Sequence, residues 1–205
     1  MKYQIVATIV LIVAGSLAGC APSKLVREGQ RLFAGCEKAV DDAATLKSGS
    51  FVCKGPRTAN PFGGNSRSCG TCHRPGDNFS ISPKRIASLP KDDPLFFPLD
   101  EDAELLRAFA LIRVIAPGGI DEFRATPKLT HLRDLCSRAG NCDGLGLRGD
   151  RVENLDAFTL QAVANHLAKT TARVPGKDFR VPTKRELKAL TAYQLSTLVS
   201  DQDER

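Results

Sequence analysis

Cys69-Gly70-Thr71-Cys72-His73, running on into Arg74-Pro75-Gly76-Asp77-Asn78-Phe79, is the stretch that decides how the rest of this chain must fold. Two thiols three positions apart, with an imidazole directly after the second, have the spacing that attaches haem covalently. The thiols reach the two vinyl groups on one porphyrin edge, and the histidine then lies beneath the iron. Gly70 and Thr71 are small, which lets the turn close against a flat ring. Cys69 and Cys72 are therefore the expected thioether residues and His73 the expected proximal iron ligand, for one haem c. The competing use of Cys-x-x-Cys is a redox-active dithiol at the start of a helix that follows a strand. Here the flanks are loop-like, punctuated by proline and glycine, and no strand–helix–strand pattern surrounds them.

Upstream, the chain opens with Lys2 and an uncharged apolar run from Ile5 to Ala14. That run is short of the ~20 residues a permanent bilayer span needs and fits the apolar region of a signal peptide. Leu17-Ala18-Gly19-Cys20 follows at once and resembles the lipobox of bacterial lipoproteins. The resemblance implies cleavage after residue 19, acylation of Cys20 and a short tether over 20–23. Ala21 after the cysteine implies delivery to the outer membrane, so the expected location is the periplasm, with a lipid anchor in a bacterial membrane. Export fits the motif, because haem of this type is attached outside the cytoplasm.

No later stretch is apolar and long enough to span a membrane. The formal net charge of +6 is carried by scattered residues with no nucleic-acid motif, so nucleic acid is not expected as a partner. A modest positive balance favours acidic partners, and the expected partners are redox proteins. Of seven cysteines, one goes to lipid and two to haem. The other four allow three pairings, and export favours disulfides. Cys36–Cys53 and Cys136–Cys142 are preferred because each closes a short local loop, with unpaired thiols or metal ligands as the alternative.

Leu25, Leu32, Phe33, Cys36 and Val40 recur at helical spacing and predict a first helix over 24–46. Asp100 to Glu104 place negative charge at a helix start, and Leu105, Phe109 and Ile112 form its stripe, ended by Gly118-Gly119. A third helix is expected over 155–169, with Leu160, Val163, Ala164 and Leu167 on one side. Thr183-Lys184-Arg185-Glu186 is a capping box opening a last helix that buries Leu187, Leu190, Tyr193 and Leu198. Residues 123–149 read as irregular, and no strand pattern stands out. The expected fold is all-α, with four or five helices over 24–200, long loops, and a polar tail at 201–205.

Beyond the haem motif, Gly29 and Phe33 in the first helix and Tyr193 in the last resemble the cytochrome c superfamily, whose terminal helices cross at a small residue beside aromatics. The closer resemblance is to the C-terminal haem domain of diheme cytochrome c peroxidases and their relatives. The stretch from Cys69 to Phe79 looks like their C-x-x-C-H-x-P…F segment, and Phe123-Arg124-Ala125-Thr126-Pro127-Lys128-Leu129 looks like their F-R-x-T-P-x-L motif. Leu155 to His166 looks like the helix after their distal-ligand loop. The resemblance covers about 25–199 and implies a cytochrome c-like domain. A peroxidase of that class carries two haem motifs, whereas this chain has one.

The sixth iron ligand is not methionine, since the only one is Met1. His131, in the irregular stretch after Thr126-Pro127, is the first candidate and His166, at the margin of the third helix, the second; an open iron is the third option. Leu145 and Leu147 stand where the peroxidase relatives supply a distal residue, which argues against a copied peroxidase site. Glu122, Arg124 and Arg148 are the nearest acid–base candidates. The expected function is a monohaem carrier of single electrons rather than an enzyme. The alternatives are a peroxidase-like haem enzyme or sensor, and a lipoprotein with a redox-active dithiol and no haem.

Overall fold

The computed structural model describes residues 21–57, 61–97, 103–115, 121–138 and 154–200. The signal segment, Cys20, Arg148, the Leu145–Leu147 stretch and the tail from Asp201 lie outside the described residues. Among those described, no helix is long and apolar enough to cross a membrane.

The predicted first helix is two. Helix α1 (Lys24–Ala34) is capped by the Ser23 hydroxyl and stopped by Gly35 in the left-handed conformation. Helix α2 (Asp42–Ser48) restarts after Asp41 caps it. The break leaves Cys36 outside the helix, where it bonds to Cys53 with their Cα atoms 5.5 Å apart. The apolar spacing from Leu25 to Val40 runs through that break, so periodicity alone did not reveal it. The motif itself forms a single turn, α3 (Cys69–Cys72). Helix α4 (Pro83–Ala87) and two 3-10 turns, Pro75–Asp77 and Pro94–Phe96, follow.

The all-α expectation is wrong. Helix α5 (Ala103–Phe109) ends before Ile112, and Ala110 takes φ +55°, which breaks the helical path. Strand β1 (Leu111–Ile115) then pairs antiparallel with β2 (Asp121–Ala125), with Arg113 opposite Phe123. The sequence Leu-Ile-Arg-Val-Ile explains the switch: β-branched side chains lose rotamer freedom in a helix and fit a pleated strand. Leu105, Phe109 and Ile112 mimic a helical stripe only because three residues are too few to separate the two periods. Among the described residues the fold is mixed, mainly helical with this one two-stranded pairing.

Helix α6 (Leu132–Arg138) carries Cys136, which is disulfide-bonded; its expected partner, Cys142, lies outside the described residues. Helices α7 (Leu155–His166), α8 (Lys184–Gln194) and α9 (Thr197–Ser200) complete the chain. α8 has the predicted capping box, Thr183 with Glu186. α1 crosses α8 at Gly29, where an added Cβ would lie 1.9 Å from the Ala189 carbonyl oxygen. Phe33 and Tyr193 pack edge to face beside the crossing, ring centres 5.3 Å apart. α7 joins α8 through Gln194, whose amide donates to Thr159 Oγ1 at 3.2 Å.

Two apolar clusters result. The larger joins α1, α7 and α8 around Phe33, Val163, Leu190 and Tyr193, and Cys69 packs against it. The smaller gathers Ile81, Ile86, Leu95, Leu106 and Ile112, and Cys72 packs against that one. The motif thus stands at the seam of the two.

Candidate functional site

At this seam a cleft opens, about 940 Å³ of space with its open mouth and the adjoining solvent included. Cys69, Cys72 and His73 form one wall. The Thr126-Pro127 segment after β2 and Ile112 of β1 form another, and Phe158, Ala162 and His166 of α7 a third. Phe33, Leu129 and Leu167 add to a lining that is predominantly apolar.

The motif turn is fixed from both sides. Ser68 Oγ donates to the Ala34 carbonyl at 3.3 Å, and Ser68 N donates to Thr71 Oγ1 at 2.9 Å. Gly70 is required here for a reason beyond the turn: an added Cβ would meet the Phe51 ring at 2.6 Å. Cys69 and Cys72 are thiols, not joined to each other. Burial, with the neighbouring Cys72, pushes the Cys69 thiol up to about 12. His73 Nδ1–H donates to the Phe79 carbonyl at 2.7 Å. With the proton on Nδ1, the lone pair a metal needs is on Nε2. Burial holds the His73 ring below its usual value, against the Phe79 and Pro127 carbonyls, which act the other way.

Phe79 can present that carbonyl because the chain turns sharply before it. Asn78 and Phe79 both take positive φ, 57° and 52°. The turn is closed by Arg74 N to Ser80 O and Phe79 N to Arg74 O, each 2.9 Å. Ser80 Oγ then donates to the Thr126 carbonyl at 2.6 Å. One turn therefore holds both the His73 ring and the Thr126 segment.

The structure separates the two distal candidates. His131 is exposed and is not among the residues lining the cleft. His166 lines it, and burial first, then the charges of Arg67, His73 and Arg173, lowers its imidazole to about 4. Arg124 also lines the cleft and donates to Glu122 at 2.8 Å.

Sequence reading missed three polar residues. Asn65 and Arg67 sit in a stretch that reads as surface loop, yet they are 4% and 2% exposed. Arg67 donates to the carbonyls of Pro94, Leu95 and Phe97 and so closes the loop beside the motif. Thr126 was noted only as part of a motif. Its Oγ1 is buried with no hydrogen-bond partner, and Thr126 lines the cleft. No local signal marks a polar residue as buried, because that depends on elements far away in sequence.

Among the described residues no group of three or more His, Cys, Asp or Glu side chains gathers as a metal cage. Haem needs none, since the porphyrin supplies four nitrogens. Two thiols at the motif spacing, an imidazole held by a carbonyl and an apolar slot with one buried, unpartnered hydroxyl fit that group. No family model, curated protein or solved structure matches this chain.

Proposed function

We propose that this protein is an extracytoplasmic, lipid-anchored c-type cytochrome that carries single electrons between redox proteins through one covalent haem. The observation that carries the reading is the convergence of Cys69, Cys72 and an oriented His73 on an apolar cleft. Each thiol adds across a vinyl C=C, sulfur to one carbon and hydrogen to the other, with nothing oxidised or reduced. When bound, haem supplies an iron that shuttles between ferric and ferrous states. The Phe79 carbonyl holds the His73 ring by Nδ1, which would leave Nε2 for the iron, and the mostly apolar walls would keep water away.

The dithiol alternative is disfavoured. A reactive Cys-x-x-Cys needs a lowered thiol pKa, and Cys69 is displaced the opposite way. Anchoring at Cys20 would confine the carrier to a surface and raise its concentration near membrane-held partners, with the net positive charge favouring acidic ones.

Periplasmic expression beside a haem-attachment apparatus tests the reading. The expected result is one haem per chain that survives denaturation and is lost in Cys69→Ala/Cys72→Ala. A polypeptide with no added mass and no visible absorption overturns it.

A further inference from the structure

We infer that His166 is the second axial ligand of the iron and that Asn65 is the residue that positions it. This rests on the haem reading above and specifies the coordination of the same site.

The donors available in the cleft are few. Among its lining residues the sulfur and imidazole groups are Cys69, Cys72, His73 and His166. The cysteines are taken by the porphyrin and His73 by one axial position. His131 is exposed and away from the cleft, and the chain's single methionine is Met1. His166 is the imidazole that remains.

Its placement is built. His166 is the last residue of α7, a point where a helix frays unless its terminal carbonyls are held. Asn65 holds them. Its side-chain amide donates to the carbonyls of His166 at 3.0 Å and Ala168 at 2.9 Å. Its backbone N–H donates to the carbonyl between them, Leu167, at 2.8 Å. Its Oδ1 accepts from Arg67 N at 3.0 Å. Asn65 stands four residues before Cys69. Three consecutive carbonyls at the end of α7 are thus fastened to the strand of chain that enters the haem motif. The far end of α7 is fastened to α8, where Thr191 Oγ1 donates to Asp156. His166 and the motif therefore move as one unit, which fixes their separation before haem arrives. An aspartate or an alanine at 65 would remove the two amide donors from these carbonyls, the buried one of Ala168 included.

Two imidazoles close the iron to exogenous ligands and, compared with histidine–methionine ligation, lower its potential. That favours transfer of electrons over chemistry on small molecules.

Absorption and electron paramagnetic resonance spectra of the haem-loaded full chain test the assignment. The wild type is expected to be low-spin in both oxidation states and inert to carbon monoxide. His166→Ala is expected to turn high-spin and bind carbon monoxide, with added imidazole restoring the low-spin spectrum. His166→Met, which keeps a ligating atom and tests the site should the alanine variant fold poorly, is expected to stay low-spin at a raised potential. Asn65→Ala is expected to keep its covalent haem but show a mixture of low- and high-spin iron. His131→Ala is expected to match the wild type. A wild type that binds carbon monoxide, or a His166→Ala and His166→Met pair with unchanged spectra and potential, overturns the assignment while leaving the haem reading intact. Absence of covalent haem from the wild type overturns the haem reading itself.

Discussion

At the scale of single residues, Cys69, Cys72 and His73 stand out in the sequence because their spacing is contiguous, and all three line the cleft. The residues that face them do not stand out. His131 lies nearer the peroxidase-like segment in sequence, and only the packing of α7 brings His166 to the cleft instead. The same distinction governs charged residues. Glu186 was legible as half of a capping box, but its partner Arg180 was not; Arg180 Nη1 and Nη2 each donate to a carboxylate oxygen at 2.8 Å. The Arg180 bond, the largest effect, with the Thr183 bonds, holds the Glu186 carboxyl at about 2, below its ordinary 4.5. A carboxyl lowered by folding contributes stability that is complete above 4.5 and lost as pH falls toward 2. Glu186→Gln is expected to destabilise the protein by about 1 kcal/mol at pH 7. Urea unfolding of both forms at pH 7, 4 and 2.5 checks this: the gap must narrow with acid, and a constant gap refutes the account.

At the scale of elements, α8 is legible from its capping box, although it ends at Gln194 and Leu198, expected on it, falls in α9; α7 starts where expected and ends at His166 rather than 169. Helix α1 was overrun because nothing in the period from Leu25 to Val40 marks the chain's exit at Gly35. The hairpin was missed because its two strands, Leu111–Ile115 and Asp121–Ala125, stabilise each other by pairing, a property of neither alone. The close crossing of α1 and α8 at Gly29, expected in the sequence only through the cytochrome c resemblance, has energetics that can be weighed. In an isolated helix, alanine is about 1 kcal/mol better than glycine. Here an alanine Cβ would lie 1.9 Å from the Ala189 carbonyl oxygen and 2.8 Å from Tyr193 Cβ. Backbone cannot yield as a flexible side chain does, so overpacking prevails over propensity. Gly29→Ala is expected to lose roughly 2–3 kcal/mol net, with a denaturant midpoint below that of wild type. A midpoint at or above wild type would mean that the helices do not cross this closely.

At the scale of the whole molecule, covalent links brace a core that its cleft divides. The Cys36–Cys53 bond spans a sequence separation of 17 and ties the chain after α1 to the loop after α2. A loop of that size contributes about 3 kcal/mol by restricting the unfolded chain. Cys36→Ala/Cys53→Ala is expected to lose about that much, measured by urea unfolding under non-reducing conditions.

The cleft has the larger consequence. Its walls come from α1, the motif, both strands, α7 and α8, so no single region closes it. Cys69 packs against one apolar cluster and Cys72 against the other. Haem joined to both cysteines would fill the gap and link the clusters covalently. The same polypeptide made without haem keeps every side chain but leaves apolar walls facing solvent. Forfeited packing on that scale resembles a large core truncation, about 4 kcal/mol. For a chain of this length that corresponds to a Tm lower by roughly 8–16 °C. Calorimetry on haem-loaded and haem-free protein, with the Cys36–Cys53 bond intact in both, makes the comparison. Equal Tm values would mean that the cleft collapses on itself at little cost, and that the seam between the clusters does not depend on an occupant.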